Sequence, residues 1–119
     1  LAENSLVLAR LNLNNGEYEI LKRDYRLHGR GLELEHDFES YNRRILDEKL
    51  IHPDDEERYR ARITLSSLHN FFFDGKKQLS YQFCRQLNNK YIPTVMEFFA
   101  GNRCDVQNPW IVVLIREIS

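Results

Sequence analysis

Ile51-His52-Pro53-Asp54-Asp55 is the stretch that decides how this chain of 119 residues folds. Pro53 has a φ angle already near the helical value and lacks an N–H, which suits the first turn of a helix. The four carboxylates of residues 54–57 stand at the positive end of the helix dipole. The stretch therefore predicts a structural joint, with two strands and a polar helix before it and a longer helix and three strands after it.

The segment before the joint begins with a predicted β-hairpin. Apolar residues mark a first strand over residues 5–13. Asn14-Asn15-Gly16 predicts a tight turn, because Asn and Gly tolerate the positive φ that such turns need. A return strand follows over residues 17–22, with Tyr18 and Ile20 on one face.

The helical middle of the chain is predicted to contain two helices. Residues 23–35 are irregular, and Asp37 is a candidate N-cap for a helix over residues 38–50. The second helix follows Pro53 and extends to about residue 70. On the first helix the spacing places four polar residues in water: Asn42, Arg43, Arg44 and Asp47.

The chain after the helices has the period-two pattern of β-strands. Strands are predicted over residues 78–87, 90–99 and 110–118, with a tight turn at Asn88-Asn89. The last of these is almost entirely apolar from Trp110 to Ile115, which predicts that both of its faces are covered. We therefore expect it to lie centrally in the sheet, beside the first strand.

Composition excludes several classes of protein. The net charge is -1, so there is no excess of positive charge to attract nucleic acid. No apolar segment approaches the roughly 20 residues that a membrane helix needs. Two cysteines, Cys84 and Cys104, are too few for a disulfide framework, so a reducing compartment is expected. The chain starts at Leu1 and stops just after an apolar segment, so we expect one domain, residues 1–119, taken from a longer protein.

The order of elements predicts an α+β domain. One roughly five-stranded antiparallel sheet with the helices packed on one face buries both the sheet and the helices most simply.

The chain resembles a PAS domain, the sensory module of bacterial signalling proteins. The resemblance covers residues 5–119 and rests on the hairpin Asn14-Asn15-Gly16-Glu17-Tyr18 and on the joint Ile51-His52-Pro53-Asp54-Asp55. Many PAS domains carry His-Pro-Asp-Asp at the equivalent joint. The final strand closes in Glu117-Ile118-Ser119, where many PAS domains have Asp-Ile-Thr.

This resemblance implies a cytoplasmic sensing or dimerisation domain without enzymatic activity of its own. Such a domain is joined through a helical linker to an output domain, such as a diguanylate cyclase or a histidine kinase. The family's linker begins just past the position of Ser119, so a signal would leave through the last strand.

Cofactor motifs of the family are weak here, and the cofactor stays open. Flavin-binding members need an Asn-Cys-Arg-Phe-Leu type of motif on a central helix, and Asn102-Arg103-Cys104 matches it only loosely and lies in a loop. Haem-binding members use a histidine of the helical middle, for which His69 is the candidate, although a helix-end role is favoured. His52 is expected to cap its helix. His28 and His36 have no second ligand at metal spacing.

The candidate ligand pocket is centred on the strand over residues 78–87. Tyr81, Phe83 and Arg85 alternate on one face, where two aromatic rings and a cation suit a small anionic or aromatic ligand. The alternative is that the rings are core and Arg85 forms a surface salt bridge at the strand end. Ile63 and Leu114 complete the predicted pocket lining. A cross-strand ion pair is expected between Glu97 and Arg116.

Three functions remain open. The first is a sensor that dimerises through Trp110, Val113 and Ile115, since the second sheet face needs cover. The second is a small α+β enzyme of the cone-shaped isomerase or dehydratase kind, for which Tyr81 and Glu97 are the residues to substitute. The third is a ligand-free dimerisation module with a filled core. No catalytic motif or metal-ligand spacing is present in the sequence.

Overall fold

The protein is an α+β domain, seen in a computed structural model that describes residues 4–24, 27 and 35–118. His28 and the irregular segment around it, and the terminal Ser119, lie outside the described residues. The elements in chain order are β1 (Ser5–Asn12), β2 (Tyr18–Arg23), α1 (Phe38–Asp47), α2 (Pro53–Arg62), α3 (Leu65–Phe73), β3 (Gln78–Leu87), β4 (Lys90–Ala100) and β5 (Trp110–Glu117).

The five strands form one antiparallel sheet in the order β2-β1-β5-β4-β3. The predicted place of the last strand, central and beside the first, is confirmed by its ladders to β1 and β4. One sheet face joins the helices in a single core, which combines strand residues such as Phe98 and Val113 with helix residues such as Tyr41 and Leu68. The interior therefore lies between one face of the sheet and the helices.

The outer face of β5 is open, which corrects the prediction that both faces are covered. Val113 and Ile115 are buried, whereas Leu114 between them is half-buried and Val112, just before them, is 42% exposed. Val113 and Ile115 therefore belong to the core, and their predicted role on a dimer face is wrong. A run of apolar residues has no visible alternation, so the sequence could not distinguish one buried face from two.

The predicted N-terminal hairpin is confirmed, and its turn is fixed by side chains. The Asn12 carboxamide oxygen accepts the backbone N–H of Asn14 at 2.8 Å. Gly16 has a φ of +81°, and a Cβ there would lie 3.1 Å from Leu65. A glycine is required at this position because the left-handed backbone and the close approach of α3 both exclude a side chain.

The helical middle differs from the prediction at Ile63. The single helix expected over residues 53–70 is two helices, because Ile63 has a φ of -94° and a ψ of 73° and leaves the helical conformation. Thr64 then starts α3 as an N-cap, and its hydroxyl accepts the Ser67 N–H at 3.1 Å. Asp37 caps α1 as predicted, but α1 ends at Asp47, just before Lys49 with its positive φ of 58°.

The joint that follows α1 covers the free edge of β3. Gln86 donates its N–H to the Leu50 carbonyl at 2.7 Å, and the His52 N–H donates to the Cys84 carbonyl at 2.9 Å. The Asp55 carboxylate accepts the Cys84 N–H at 2.8 Å. His52 also caps α2 as predicted, since its Nδ1 accepts the Asp54 N–H. The joint therefore starts a helix and blocks part of an edge strand that would otherwise be open to pairing.

Asp55 should matter for stability far more than its neighbour Asp54. We expect Asp55→Ala to lower the free energy of unfolding by about 1–3 kcal/mol, because a charged acceptor of a strand N–H is lost. The matched control Asp54→Ala removes a side chain that is 89% exposed, and should cost about 0.5 kcal/mol or less through the helix dipole. Urea denaturation of both variants gives the comparison, and equal losses would contradict the edge-capping role.

Among the described residues, no helix is both long enough and apolar enough to cross a membrane.

Candidate functional site

The inner face of β3 carries the predicted pocket residues Tyr81, Phe83 and Arg85. Phe83 is buried, Tyr81 is half-buried, and Arg85 is only 3% exposed. All three belong to the face that packs towards the helices, as their alternation predicts. The alternative of a surface salt bridge for Arg85 is wrong, because its side chain lies inside the protein.

Arg85 lies among tyrosines rather than carboxylates. Its guanidinium lies close enough to Tyr41, Tyr59 and Tyr18 to interact electrostatically with all three. No carboxylate of the described residues forms an ion pair with it, and its buried Nε has no hydrogen-bond partner among them. The buried Tyr18 hydroxyl also lacks a partner there. A buried cation without a counter-ion is costly, so this arrangement opposes stability.

Four elements assemble this group, which we call the Arg85 cluster and define as Arg85, Tyr18, Tyr41 and Tyr59. Tyr18 opens β2, Tyr41 lies on α1, and Tyr59 lies on α2. The rings of Tyr18 and Tyr41 are 4.7 Å apart between centroids, and the Tyr59 ring meets the edge of Phe83 at 5.1 Å. The aromatic packing fixes the hydroxyls around the guanidinium.

A buried hydrogen-bond chain closes the cluster on the helix side. The Tyr59 hydroxyl donates to the Asn42 carboxamide oxygen at 2.8 Å, and the Asn42 amide donates to the Ile63 carbonyl at 3.2 Å. Asn42 is only 6% exposed, so the prediction that it faces water is wrong. Ile63 is buried beside this chain and lines the cleft between α1 and α2, and its place in a ligand pocket stays a prediction.

The protonation states of the cluster follow from its burial. Burial raises the pKa of the Tyr18 hydroxyl, and the neighbouring Tyr41 and Tyr59 raise it further. Burial also raises the pKa of Tyr59. For Arg85, burial lowers the pKa, but the tyrosine oxygens more than offset this and leave it above its ordinary value. At neutral pH, Arg85 is therefore charged while Tyr18 and Tyr59 are neutral.

These shifts predict a loss of stability in alkaline solution. The folded pKa values of Tyr18 and Tyr59 lie above the unfolded value of about 10, so the stability they confer is complete below pH 10 and falls as pH rises past it. We expect each tyrosine to add about 1.4 kcal/mol per pH unit to the decline. Urea denaturation between pH 8 and 11 should show a shallower decline for Tyr59→Phe. Phe83→Leu, which keeps every tyrosine, should retain the wild-type slope, and a Tyr59→Phe slope equal to wild type would contradict the shift.

A cleft lies between α1 and α2 and is lined by one member of the Arg85 cluster, Tyr59. Its volume is about 320 Å³, and Asn42 and Tyr59 line it together with Ile63. Charged residues of both signs also line it: Glu39, Arg43, Asp47 and Arg60. The Tyr59–Asn42 hydrogen bond therefore joins two residues of the cleft wall.

Leu114 does not belong to this site. It pairs with Leu8 and Glu97 across the sheet and lies on the outer face, so its predicted place in the pocket is wrong. Trp110 is on the same outer face, where the Arg10 guanidinium lies 4.1 Å from its ring centroid. The expected Glu97–Arg116 ion pair is confirmed, with Arg116 Nε 2.8 Å from a Glu97 carboxylate oxygen.

Tyr81 and Glu97, the two residues that the enzyme hypothesis names, lie on opposite faces of the sheet. Tyr81 pairs with Met96 across the β3–β4 ladder and points inward, whereas Glu97, the next residue of β4, faces outward. Tyr81 and Glu97 therefore do not share one pocket.

Histidine and cysteine residues are dispersed. His69 lies on α3 with its ring 4.4 Å from the Phe73 ring, and the His36 carbonyl accepts the Tyr18 N–H. Cys84 and Cys104 are free thiols, and burial raises the pKa of Cys104. Within residues 4–24, 27 and 35–118, no three His, Cys, Asp or Glu side chains are grouped so that they could hold a metal ion.

Compared with models of protein families and with curated proteins, the chain matches none at a significant level.

Proposed function

We propose that this chain is a PAS-type sensory module without enzymatic activity, which binds a small ligand between its sheet and its helices. The five-stranded antiparallel sheet with three helices is compatible with the fold that the resemblance implies. The observation that carries the proposal is the Arg85 cluster. Its buried Nε and the buried Tyr18 hydroxyl lack partners among the described residues, at the place where such a ligand would lie.

The signal would pass from β3 to the end of β5. The Thr94 hydroxyl of β4 donates to the carbonyl of Phe83 at 2.8 Å, beside Arg85 on the same strand. The Ile118 N–H donates to the Pro93 carbonyl at 3.0 Å, just beyond β5. A ligand that shifts β3 therefore acts through β4 on the C-terminal residues, from which an output domain such as a diguanylate cyclase or a histidine kinase would follow. The domain would then act in the cytoplasm.

The outer sheet face is the proposed contact with a second copy of the chain. Trp110, Val112 and Leu114 expose apolar surface on the central strand, and their charged neighbours are already paired as Arg10–Glu19 and Arg116–Glu97. An apolar centre bordered by neutralised charges suits a two-fold contact between identical faces.

Val112→Asp should turn a dimer into a monomer in sedimentation equilibrium. A wild-type monomer at high concentration would contradict this contact.

Native mass spectrometry of the purified domain tests the ligand-binding role. A mass above the 14.3 kDa of the chain that disappears on denaturation identifies a retained ligand. A thermal-shift screen of small molecules covers ligands that are lost during purification. We expect at least one compound to raise the melting temperature and to shift NMR signals of β3 and of residues 116–118. If neither native mass spectrometry nor the thermal-shift screen detects a bound compound, the ligand-free dimerisation module is favoured.

A further inference from the structure

The Arg85 guanidinium has more donors than the described protein satisfies. A guanidinium presents five N–H donors in a planar fork. Tyr41 lies close to the guanidinium, but the buried Nε has no hydrogen-bond partner among the described residues. The Tyr18 hydroxyl, a further donor, is also unpartnered there. Two unused donors from different elements thus lie in the cluster that holds this buried positive charge.

The missing chemical group is an oxyanion. Planar oxygen pairs match the guanidinium fork and form short, charge-assisted hydrogen bonds with it, whereas a neutral ligand would leave the charge uncompensated. Tyr18, Tyr41 and Tyr59 are all buried close to the guanidinium, so the oxyanion must be small or be the end of a narrow molecule. A hydroxyl donor beside the guanidinium completes the coordination.

The path to this position runs through the cleft between α1 and α2. Tyr59 lines the cleft and also borders the Arg85 cluster. Its hydroxyl is held by a single hydrogen bond to Asn42, at 2.8 Å. Arg43 and Arg60 line the same cleft, where they are balanced by Glu39 and Asp47.

We infer that Arg85 and the Tyr18 hydroxyl form an interior site for a small oxyanion, a carboxylate or a phosphate group, which enters through the α1–α2 cleft by displacing the Tyr59–Asn42 hydrogen bond. This inference rests on the proposed ligand-binding function and names the chemistry of its ligand.

Isothermal titration of the whole chain with sodium acetate, inorganic phosphate and benzene tests the inference, with sodium chloride holding the ionic strength constant. We expect saturable binding of an oxyanion to the wild type, weakened by about 100-fold or more in Arg85→Met because a buried charge partner is removed. Arg10→Met, a surface control, should bind as the wild type does. Acetate binding without phosphate binding identifies a carboxylate ligand, and the reverse identifies a phosphate group.

The outcomes separate the inference from the function on which it rests. Equal oxyanion binding by the wild type and Arg85→Met would overturn the assignment of Arg85. Benzene binding without oxyanion binding would overturn the oxyanion and leave a ligand-binding module. Binding of none of the three probes would count against both.

The entry route has its own test. Tyr59→Phe keeps the ring but removes the hydrogen bond to Asn42, so it should speed oxyanion association about five-fold, the change expected for one lost hydrogen bond. Tyr81→Phe, also on the inner side of the sheet, should leave the association rate unchanged. Unchanged kinetics in Tyr59→Phe would overturn entry at this hydrogen bond. NMR line-shape analysis of the bound and free signals provides the rates.

Discussion

Replacing Arg85 by methionine is expected to stabilise the ligand-free domain by about 1–3 kcal/mol, although it alters a fully buried side chain. Arg85 brings a positive charge into the core, and no described carboxylate compensates for it. Methionine fills a similar volume and follows an irregular space because its side chain is flexible. The contact with Tyr41 offsets only part of the cost of this buried charge, because a neutral hydroxyl supplies no counter-charge.

Urea denaturation in chloride buffer free of other anions measures this effect. The matched control is Phe83→Met on the same strand and face, where the wild-type residue is an ordinary core side chain. That variant should lose about 1–2 kcal/mol, because a buried ring is replaced by a thinner side chain. A loss of stability in Arg85→Met as large as that in Phe83→Met would show that Arg85 serves the fold and not a ligand.

Asn42→Ala is expected to lower the free energy of unfolding by about 2–4 kcal/mol, although a surface role for this residue is what the helical spacing suggests. Asn42 joins two elements, since its oxygen accepts from the Tyr59 hydroxyl of α2 and its amide donates to the Ile63 carbonyl. Truncation leaves both groups buried and unpaired. The carbonyl of Ile63 stands where the helix breaks, so it has no helical N–H to replace Asn42.

A double-mutant cycle separates the two hydrogen bonds of Asn42. Tyr59→Phe alone should cost about 1 kcal/mol, and combining it with Asn42→Ala should cost less than the sum, with a coupling of about 1 kcal/mol. Asn42→Asp keeps the oxygen that Tyr59 uses but loses the amide donor to Ile63. Full additivity of Asn42→Ala and Tyr59→Phe would contradict the buried contact.

Local patterns in the sequence predict the elements whose causes are local. The N-terminal hairpin follows from Asn14-Asn15-Gly16, and the capping roles of Asp37 and His52 follow from their positions before helices. The antiparallel ladder between β3 and β4 follows from the period-two pattern on both sides of Asn88-Asn89, which take the positive φ values that the turn requires. In each case neighbouring residues determine the conformation.

Features that depend on distant contacts are not visible in the sequence. Thr64 starts α3 directly after the break at Ile63. Part of the reason is distant in the chain, because Glu39 of α1 accepts the Leu65 N–H at 2.9 Å. Asn42 is buried because Tyr59 and Ile63, well separated from it in the chain, meet it in the core. The sequence shows Asn42 only as a polar residue on a helix, which is normally an exposed position.

The candidate site also has one part that the sequence predicts and another that it does not. The strand alternation correctly groups Tyr81, Phe83 and Arg85 on one face, and it identifies the cation that now stands at the centre of the site. The alternation along β3 does not reveal Tyr18 and Tyr41, which lie on other elements and are close to Arg85 in the structure. The prediction that Leu114 lines the pocket is wrong because an apolar strand does not show which of its residues point inward.

The Nε–H resonance of Arg85 in a ¹H–¹⁵N spectrum tests the ligand-binding role of the cluster most directly, because this buried atom has no hydrogen-bond partner among the described residues. Its signal can be assigned by its disappearance in Arg85→Met. We predict that acetate or phosphate, added at constant ionic strength, moves this signal downfield along a saturable curve. An unchanged Nε–H signal up to the highest concentration of both anions would contradict an oxyanion site at Arg85.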